Sequence, residues 1–256
     1  MKRDLPSGAS FAPEEIEFHG PDGVLTGYLY LPKGRRPLAC IVNNHGSDLH
    51  PGSRQVSCPQ IAALMTSWGY GFFFPHRRGY GRSSGTPLKQ AVWAPLGSKE
   101  YDEQITERLD EECEDLQAAV AYLRGRAEID PNRIALSGVS RGGIVSLLAA
   151  SLDPTVACCA SFSGGARQWS SHPKLRAKMR RAATTMAQPF FLAQAGNDFD
   201  LAASKDLAGA LRAAGKTFTH RVYPAWGATE SEGHGFGSTG SLVWGPDLHA
   251  FLASSL

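Results

Sequence analysis

From Leu38 onward, short apolar runs alternate with longer stretches of helical periodicity, and no other pattern in the sequence limits the fold as much. Leu38–Asn43, Gly71–Phe74, Arg133–Ser137, Val156–Phe162, Pro189–Gln194 and Thr217–Tyr223 read as buried strands. The spacing predicts helices over Cys58–Trp68, about Glu103–Arg124, Arg141–Ser151, about Pro173–Ala187, Ala203–Ala214 and Ser241–Ser254. Strand, crossover helix and parallel strand repeat as right-handed units, which build a mostly parallel sheet covered on both faces. The loops at the strand C-termini are then the place for chemistry. Ahead of this series, Glu15–His19 and Val24–Leu31 flank Gly20-Pro21-Asp22-Gly23 and read as an opening β-hairpin.

Two charged runs read first as solvated helix faces. Glu107, Asp110, Glu111, Glu114 and Asp115 lie opposite the apolar positions Ile105, Leu109, Leu116, Val120 and Leu123. Lys174, Arg176, Lys178, Arg180 and Arg181 flank an apolar stripe of Leu175, Met179, Ala182 and Met186, as on the wet side of a cover helix.

The chain has 256 residues with no repeat, low-complexity tract or linker, so residues 1–256 are expected to form one domain. Folding at this length buries roughly 70–75% of the unfolded surface, enough for a core without disulfides or structural metal. Lys and Arg total 26 against 24 for Asp and Glu, and a formal charge of +2 does not recruit nucleic acid or an anionic membrane. The opening MKRDLPSGASFAPEE lacks an apolar signal region, and no segment approaches the ~18 apolar residues of a membrane span. The five cysteines (Cys40, Cys58, Cys113, Cys158, Cys159) are odd in number and lack ligand spacing, which suits buried thiols in a reducing compartment. A cytoplasmic location is the expectation.

Between a predicted strand and a predicted helix stands Gly138-Val139-Ser140-Arg141-Gly142. A serine on so sharp a turn has strained backbone angles, and glycines two residues to either side let strand and helix approach. The turn presents Ser140 beside free N–H groups at a helix N-terminus, which favour developing negative charge. A serine hydroxyl is a weak nucleophile at neutral pH and needs a histidine base held by a carboxylate. Asp198 follows the strand ending at Gln194, with Asp200 as its rival, and His234 stands between Gly233 and Gly235 after the next strand. His19, His172, His220 and His249 lie in hairpin, strand or helix patterns and read as structural. Ser140, Asp198 and His234 occur in the order of an α/β-hydrolase triad. The expected oxyanion donors are the backbone N–H groups of Arg141 and of Ser47, in the early loop Asn44-His45-Gly46-Ser47. His45 and His50 could alternatively pair on a metal, but they lack a carboxylate third ligand, and no metal site is assigned. Trp93, Tyr101, Trp169, Phe199, Trp226 and Phe236 lie in or beside these loops and are candidates for the pocket wall. Ser84–Asp102 and Ser163–Gln188 are the stretches free to form a short cap. Arg78 reads as a structural donor rather than a substrate contact.

With Pro21-Asp22-Gly23-Val24, His45-Gly46-Ser47, Arg78-Gly79-Tyr80-Gly81-Arg82-Ser83, Ile129-Asp130-Pro131-Asn132-Arg133 and Gly233-His234-Gly235-Phe236, the chain resembles the α/β-hydrolase superfamily. Within it, the resemblance is to the dienelactone-hydrolase and prolyl-oligopeptidase-type serine esterases, over about residues 15 to 254. The resemblance implies an α/β-hydrolase fold and hydrolysis of small carboxylic esters through an acyl-enzyme, without a cofactor. Thioester cleavage, acyl transfer or peptide hydrolysis on the same triad are the alternatives. Two departures stand out: His76 occupies a position where relatives often carry aspartate, and Ser140 one where dienelactone hydrolases proper use cysteine. Relatives that cleave peptides usually add a propeller domain for which 256 residues leave no space, so esters are expected ahead of peptides.

Overall fold

The computed structural model describes residues 12–34, 36–47, 59–167 and 169–256. Strand β1 (Glu14–Gly20) folds back on β2 (Gly23–Tyr30) across Pro21-Asp22, and β2 pairs antiparallel with β4 (Gly71–His76). Strands β3 (Leu38–Asn44), β5 (Ile129–Val139), β6 (Cys158–Phe162), β7 (Phe190–Ala195) and β8 (Phe218–Tyr223) join β4 in parallel. Among the described residues the sheet has eight strands, in the spatial order β1-β2-β4-β3-β5-β6-β7-β8. Strand β5 starts earlier than its apolar pattern suggests, because Ile129 pairs with Leu38 before the register shifts.

Parallel neighbours require crossovers, and five helices supply them: α1 (Pro59–Ser67), α3 (Lys99–Arg124), α4 (Arg141–Leu152), α5 (Pro173–Thr185) and α6 (Ala202–Ala213). Helix α9 (Ser241–Ser255) closes the chain. Among the described residues, three short helices lie in the connections: α2 (Leu88–Ala91), α7 (Glu230–His234) and α8 (Phe236–Thr239). No helix among the described residues is long and apolar enough to cross a membrane.

Side chains alternate across each strand, and the alternation sorts them into two apolar layers. Cys40, Val42, Phe73, Leu136, Phe190 and Leu192 meet α3, α4, α5 and α6 through residues such as Leu109, Leu147, Leu175 and Leu207. Ile41, Phe72, Phe74, Phe191 and Ala193 meet α1 and α9 through Ile61, Met65, Trp244 and Leu248. Burying each large side chain contributes roughly 1.5–3 kcal/mol relative to exposure. Helix α4 is buried from Arg141 to Ala150, which explains why its sequence is small and apolar all round. Cys40, Cys113, Cys158 and Cys159 are buried free thiols, and burial pushes Cys158 up to about 12; Cys58 lies outside the described residues.

The acidic run on α3 departs from the sequence reading. Glu107, Asp110, Glu111 and Glu114 are exposed, but Asp115 is buried, as are Asp102, Arg108 and Glu112 on the same helix. These buried charges face arginines and backbone donors of neighbouring segments, so α3 is held by ion pairs as well as by its apolar stripe. Asp102 accepts from the backbone N–H groups of Lys174 and Leu175 (2.7 and 3.1 Å), capping α5 from outside that helix. The basic run of α5 is the wet face expected, with Lys174, Lys178 and Arg180 paired to Glu103, Asp110 and Asp206.

Candidate active site

Ser140 sits between β5 and α4 with φ 57° and ψ −122°, a positive φ that non-glycine residues seldom adopt. The surroundings enforce it. A Cβ on Gly138 would lie 2.4 Å from the Gly142 carbonyl carbon, and one on Gly142 would lie 2.1 Å from the Asn44 oxygen. Strand, turn and helix therefore close only with glycine at both places. The Ser140 N–H donates to Phe162 O at 2.7 Å, and its carbonyl accepts from Gly143 and Ile144, fixing the turn from both sides.

The hydroxyl so presented meets a histidine. His234 Nε2 stands 2.9 Å from Ser140 Oγ, and His234 Nδ1 stands 2.8 Å from Asp198 Oδ1. An ionised carboxylate only accepts, so Nδ1 carries the proton and Nε2 is left to accept from the serine. The Asp198 side chain is wholly buried, where Oδ1 also accepts from the Phe199 N–H (2.8 Å) and Oδ2 from Gln194 Nε2 (3.3 Å). Asp200, its rival, points elsewhere and accepts from the Ala202 N–H at the start of α6. The geometry thus brings together Ser140, His234 and Asp198.

His234 is the last residue of α7, not part of an open glycine loop as its flanking glycines suggest. A capping box starts that helix: Thr229 accepts from the Glu232 N–H while Glu232 reaches back to the Thr229 N–H. The Thr-x-x-Glu spacing was a readable signal for the helix. Asn197, beside the acid, ties this segment down. Its Nδ2 donates to Trp226 O and Thr229 O, and its Oδ1 accepts from the Trp226 N–H. Gly233 is needed because a Cβ there would come within 2.6 Å of Asn197 O. Acid and base are therefore set by one loop-to-loop clamp, which sequence reasoning missed because Asn197 resembles any polar turn residue.

Arg141 is the first residue of α4, so its N–H has no partner within the helix. Ser47 lies across the same cavity, which measures about 440 Å³ and is lined by both residues together with Ser140 and His234. Leu88, Leu96, Tyr101, Ile105, Leu109 and Ile144 form its apolar wall. Both predicted cap stretches reach it, the first through Leu88, Leu96 and Tyr101 and the second through Gly165, Ala166 and Arg167. An open depression of about 720 Å³ near the start of β3 is larger, but none of Ser140, Asp198 and His234 lines it.

The aromatic assignments fare differently: Tyr101 lines the cavity, whereas Trp226 packs on Phe236 and donates its Nε1 to Thr239 Oγ1 at 2.8 Å. Phe199 tilts against the His234 ring at 5.2 Å between centroids and carries the Arg167 guanidinium at 4.2 Å, so it supports the base without forming the wall. Trp93 is 73% exposed and does not line the cavity. Trp169 is buried in the core, where its indole N–H finds the partner a buried indole needs, Nε1 donating to Asp206 at 3.1 Å. Phe236 is 1% exposed and packs against Tyr223 and Trp226 in the layer with α9.

His45 is not available to a metal. Its Nδ1 donates to Gly46 O at 2.8 Å and its Nε2 accepts from the Arg77 N–H at 3.3 Å. Burial first, and the Arg77 charge second, push its imidazole well below the usual histidine range. His50 lies outside the described residues. Among the described residues, no group of three or more His, Cys, Asp or Glu side chains is arranged to hold a metal ion.

Behind the Ser47 loop lies a buried cluster that the sequence did not disclose. Glu112 accepts from Arg77 Nε (3.0 Å), Arg108 Nε (3.1 Å) and Arg141 Nη2, and Arg141 Nη1 donates to Tyr80 Oη. Burial alone raises the Glu112 carboxyl, but the three guanidinium groups more than reverse this and hold it below its ordinary value.

Comparisons with known proteins place the fold and the family. The quorum-quenching protein AidA of Acinetobacter baumannii is 29% identical over 150 residues, which is 59% of this chain and 43% of that protein. The chain spans less than half the length of the curated relatives it matches. A puromycin-hydrolyzing peptidase of Mycobacterium tuberculosis superposes with a TM-score of 0.73 at 22% identity, covering 99% of this chain and 41% of that one. The Pyrococcus furiosus esterase Pf2001 superposes with a TM-score of 0.68 at 15% identity, covering 100% and 95%. Both likenesses establish the α/β-hydrolase fold. The model of the dienelactone hydrolase family matches residues 25–241, and the chain belongs to that family.

Proposed function

We propose that the protein is a serine hydrolase of small carboxylic esters, working through an acyl-enzyme in the cytoplasm and using no cofactor. The observation that carries this reading is the unbroken relay from Ser140 Oγ through the His234 ring to Asp198, opening on a largely apolar cavity. As Ser140 Oγ attacks the ester carbonyl, its proton passes to His234 Nε2. Asp198 holds the ring in the accepting tautomer and stabilises the imidazolium. Negative charge builds on the carbonyl oxygen, where the N–H groups of Arg141 and Ser47 are the candidate donors. The imidazolium returns its proton to the departing alkoxide, leaving Ser140 acylated. Water then repeats the cycle, giving its proton to Nε2 as its oxygen attacks the acyl carbon, and Ser140 leaves with a proton restored.

A fluorophosphonate probe tests the reading, since covalent labelling requires an activated hydroxyl. Wild-type protein is expected to hydrolyse p-nitrophenyl acetate and to carry the label on Ser140. Ser140→Ala should lose both while melting at an unchanged temperature, with the rate falling by roughly 10⁴-fold or more because the covalent route disappears. Retention of more than a few percent of the activity in a clean Ser140→Ala preparation would falsify the assignment.

A further inference from the structure

We infer that Arg77, anchored by Glu112, is a positioning residue that holds the Gly46–Ser47 peptide with its N–H turned toward Ser140, so that the oxyanion donor is formed before substrate arrives. The inference rests on the hydrolase reading above. Arg77 follows the last residue of β4, and its buried guanidinium runs behind the Ser47 loop. Its Nε donates to Glu112 Oε2 at 3.0 Å, while its Nη2 donates to His45 O at 2.8 Å and to Gly46 O at 3.4 Å.

His45 adds a second hold on the same peptide. Its Nδ1–H donates to Gly46 O at 2.8 Å, and its Nε2 accepts from the Arg77 N–H at 3.3 Å. A neutral imidazole does both at once, and the depressed basicity of this buried ring keeps it neutral. In a trans peptide the carbonyl and the following N–H point in opposite directions. Arg77 and His45 draw the Gly46 carbonyl to their side, and Arg77 does not line the cavity, whereas Ser47 does. The Ser47 N–H therefore faces the cavity. The loop lies against the nucleophile turn, with the position of a Gly46 Cβ only 3.8 Å from Ser140 Cβ.

The clamp is needed because glycine crosses backbone conformations that other residues resist. Without donors on its carbonyl, the Gly46–Ser47 peptide is free to turn over and present an oxygen to the site, where it would repel the developing oxyanion. Glu112 links this hold to the other donor-bearing residue, since it also pairs with the Arg141 side chain. Through Arg108, which donates to Arg78 O and Thr86 O at 2.8 Å each, it reaches the segment leading to the cap.

Position and charge make opposite demands on Glu112, which gives the test its direction. Three guanidinium groups around one carboxylate leave a cationic excess. If the cluster acted by charge alone, neutralising Glu112 would raise the positive field and help the oxyanion. If it acts by position, neutralising Glu112 loosens Arg77 and slows the reaction.

The experiment is a double-mutant cycle on p-nitrophenyl acetate hydrolysis, with affinity for a small alkyl boronic acid, which forms a tetrahedral adduct, as the second readout. Ser47→Pro removes the proposed donor itself and should lower kcat roughly 10²-fold. Arg77→Met should lower kcat roughly 10- to 100-fold with KM nearly unchanged, and boronate affinity should fall in parallel. In the double variant, Arg77→Met should add nothing to Ser47→Pro, because the N–H it positions is already gone. Multiplying losses would assign Arg77 a role elsewhere and overturn the inference. Glu112→Gln should reduce kcat severalfold, and an increase or no change would equally overturn it. If Arg77→Met lacks a cooperative melt, Arg77→Lys replaces it in the cycle with the same non-multiplying loss expected, since one ammonium does not hold a carboxylate and two carbonyls together. Wild-type protein that neither turns over ester nor labels at Ser140 would defeat the hydrolase reading itself; active wild type with undiminished Arg77 variants would defeat this inference alone.

Discussion

Arg77 and Arg78 are chain neighbours at the end of β4, yet they sit in opposite electrostatic surroundings. Arg78 is over-supplied with carboxylates: Asp115 accepts from its Nε, Nη2 and backbone N–H at 2.8–3.0 Å, Asp22 lies at 2.5 Å, and Glu111 and Glu114 lie at 3.6 and 3.5 Å. Arg77 shares the single carboxylate of Glu112 with Arg108 and Arg141. The matched pair joins α3 to β4 and the opening hairpin, and its charge is spent on holding elements together. The cation-rich cluster keeps donors for backbone carbonyls beside a place where negative charge arises only during reaction. Two like side chains, one position apart, thus divide between stapling the fold and preparing the site.

That division separates activity from stability, and the triad gives the widest separation. Asp198→Asn should lower kcat by roughly 10⁴-fold with little change in melting temperature, because the wrong histidine tautomer is stabilised while the packing stays. Asp200→Asn should leave kcat within a few-fold, since the Asp200 carboxylate accepts from the start of α6 and the backbone carbonyl that accepts from Gln194 is unchanged by the substitution. Steady-state kinetics on both variants decides it, and the reverse ranking would move the acid to Asp200.

On the stapling side the expectation inverts. Asp115 is 2% exposed and removing its charge leaves a buried guanidinium with only distant or solvated partners. Breaking a buried pair from one side costs about 3–5 kcal/mol, so Asp115→Asn should shift the urea midpoint strongly downward. The folded fraction at 25 °C should keep a kcat near wild type. A variant of normal stability with a tenfold lower kcat would show that Arg78 belongs to the site after all.

The same contrast explains what the sequence disclosed. The nucleophile turn was legible because its constraint is local: two glycines around one serine, between a strand and a helix. Asp198 and His234 were legible because chain order and strand ends locate them. The Arg77–Glu112–Arg108–Arg141 cluster was not, because its members are scattered and each looks like a surface residue until the fold brings them together. The acidic face of α3 misled for this reason. Periodicity separates apolar from polar positions, but not a solvated carboxylate such as Glu114 from a buried one such as Asp115. Of the pocket aromatics Tyr101 reaches the wall, but Trp93, Trp169, Phe199, Trp226 and Phe236 do not, since nearness in sequence to a site loop does not say which way a ring points.

A smaller effect comes from His45. Its ordinary pKa is 6.5, and burial together with Arg77 lowers it in the folded state. Between the two values the unfolded chain binds a proton that the folded protein refuses, so stability is fully present above pH 6.5 and falls as pH drops below it. The slope approaches about 1.4 kcal/mol per pH unit for one such group. His220, half-buried and shifted the same way, adds a weaker contribution. Glu112 does not interfere, because its held-down carboxyl acts only below 4.5. Urea unfolding of wild type and His45→Gln at pH 7.5, 6.5 and 5.5 measures the difference. The variant should be less stable at pH 7.5 and lose less on acidification; parallel curves would mean that His45 takes up its proton in the folded state.

The smallest effects concern the cavity wall, where Trp93 and Leu88 make the sharpest pair. Both come from the first cap stretch, but Leu88 lines the cavity while Trp93 is 73% exposed. A methylene buried against Leu88, Ile105 or Ile144 contributes up to ~0.8 kcal/mol, close to fourfold in kcat/KM, and one left in water contributes nothing. A cavity of about 440 Å³ that also holds the reacting carbonyl accepts only a short acyl chain inside it. The series of p-nitrophenyl esters from acetate to palmitate should therefore rise over the first few carbons and then level or fall. Leu88→Ala should flatten the rise between acetate and butyrate by severalfold, whereas Trp93→Ala should change neither rate by more than about twofold, given the fraction of a buried methylene at stake. A maximum at twelve or more carbons, or a Trp93→Ala loss confined to the longer esters, would place the exposed indole in the acyl path and make the outer face of the cap part of the binding site.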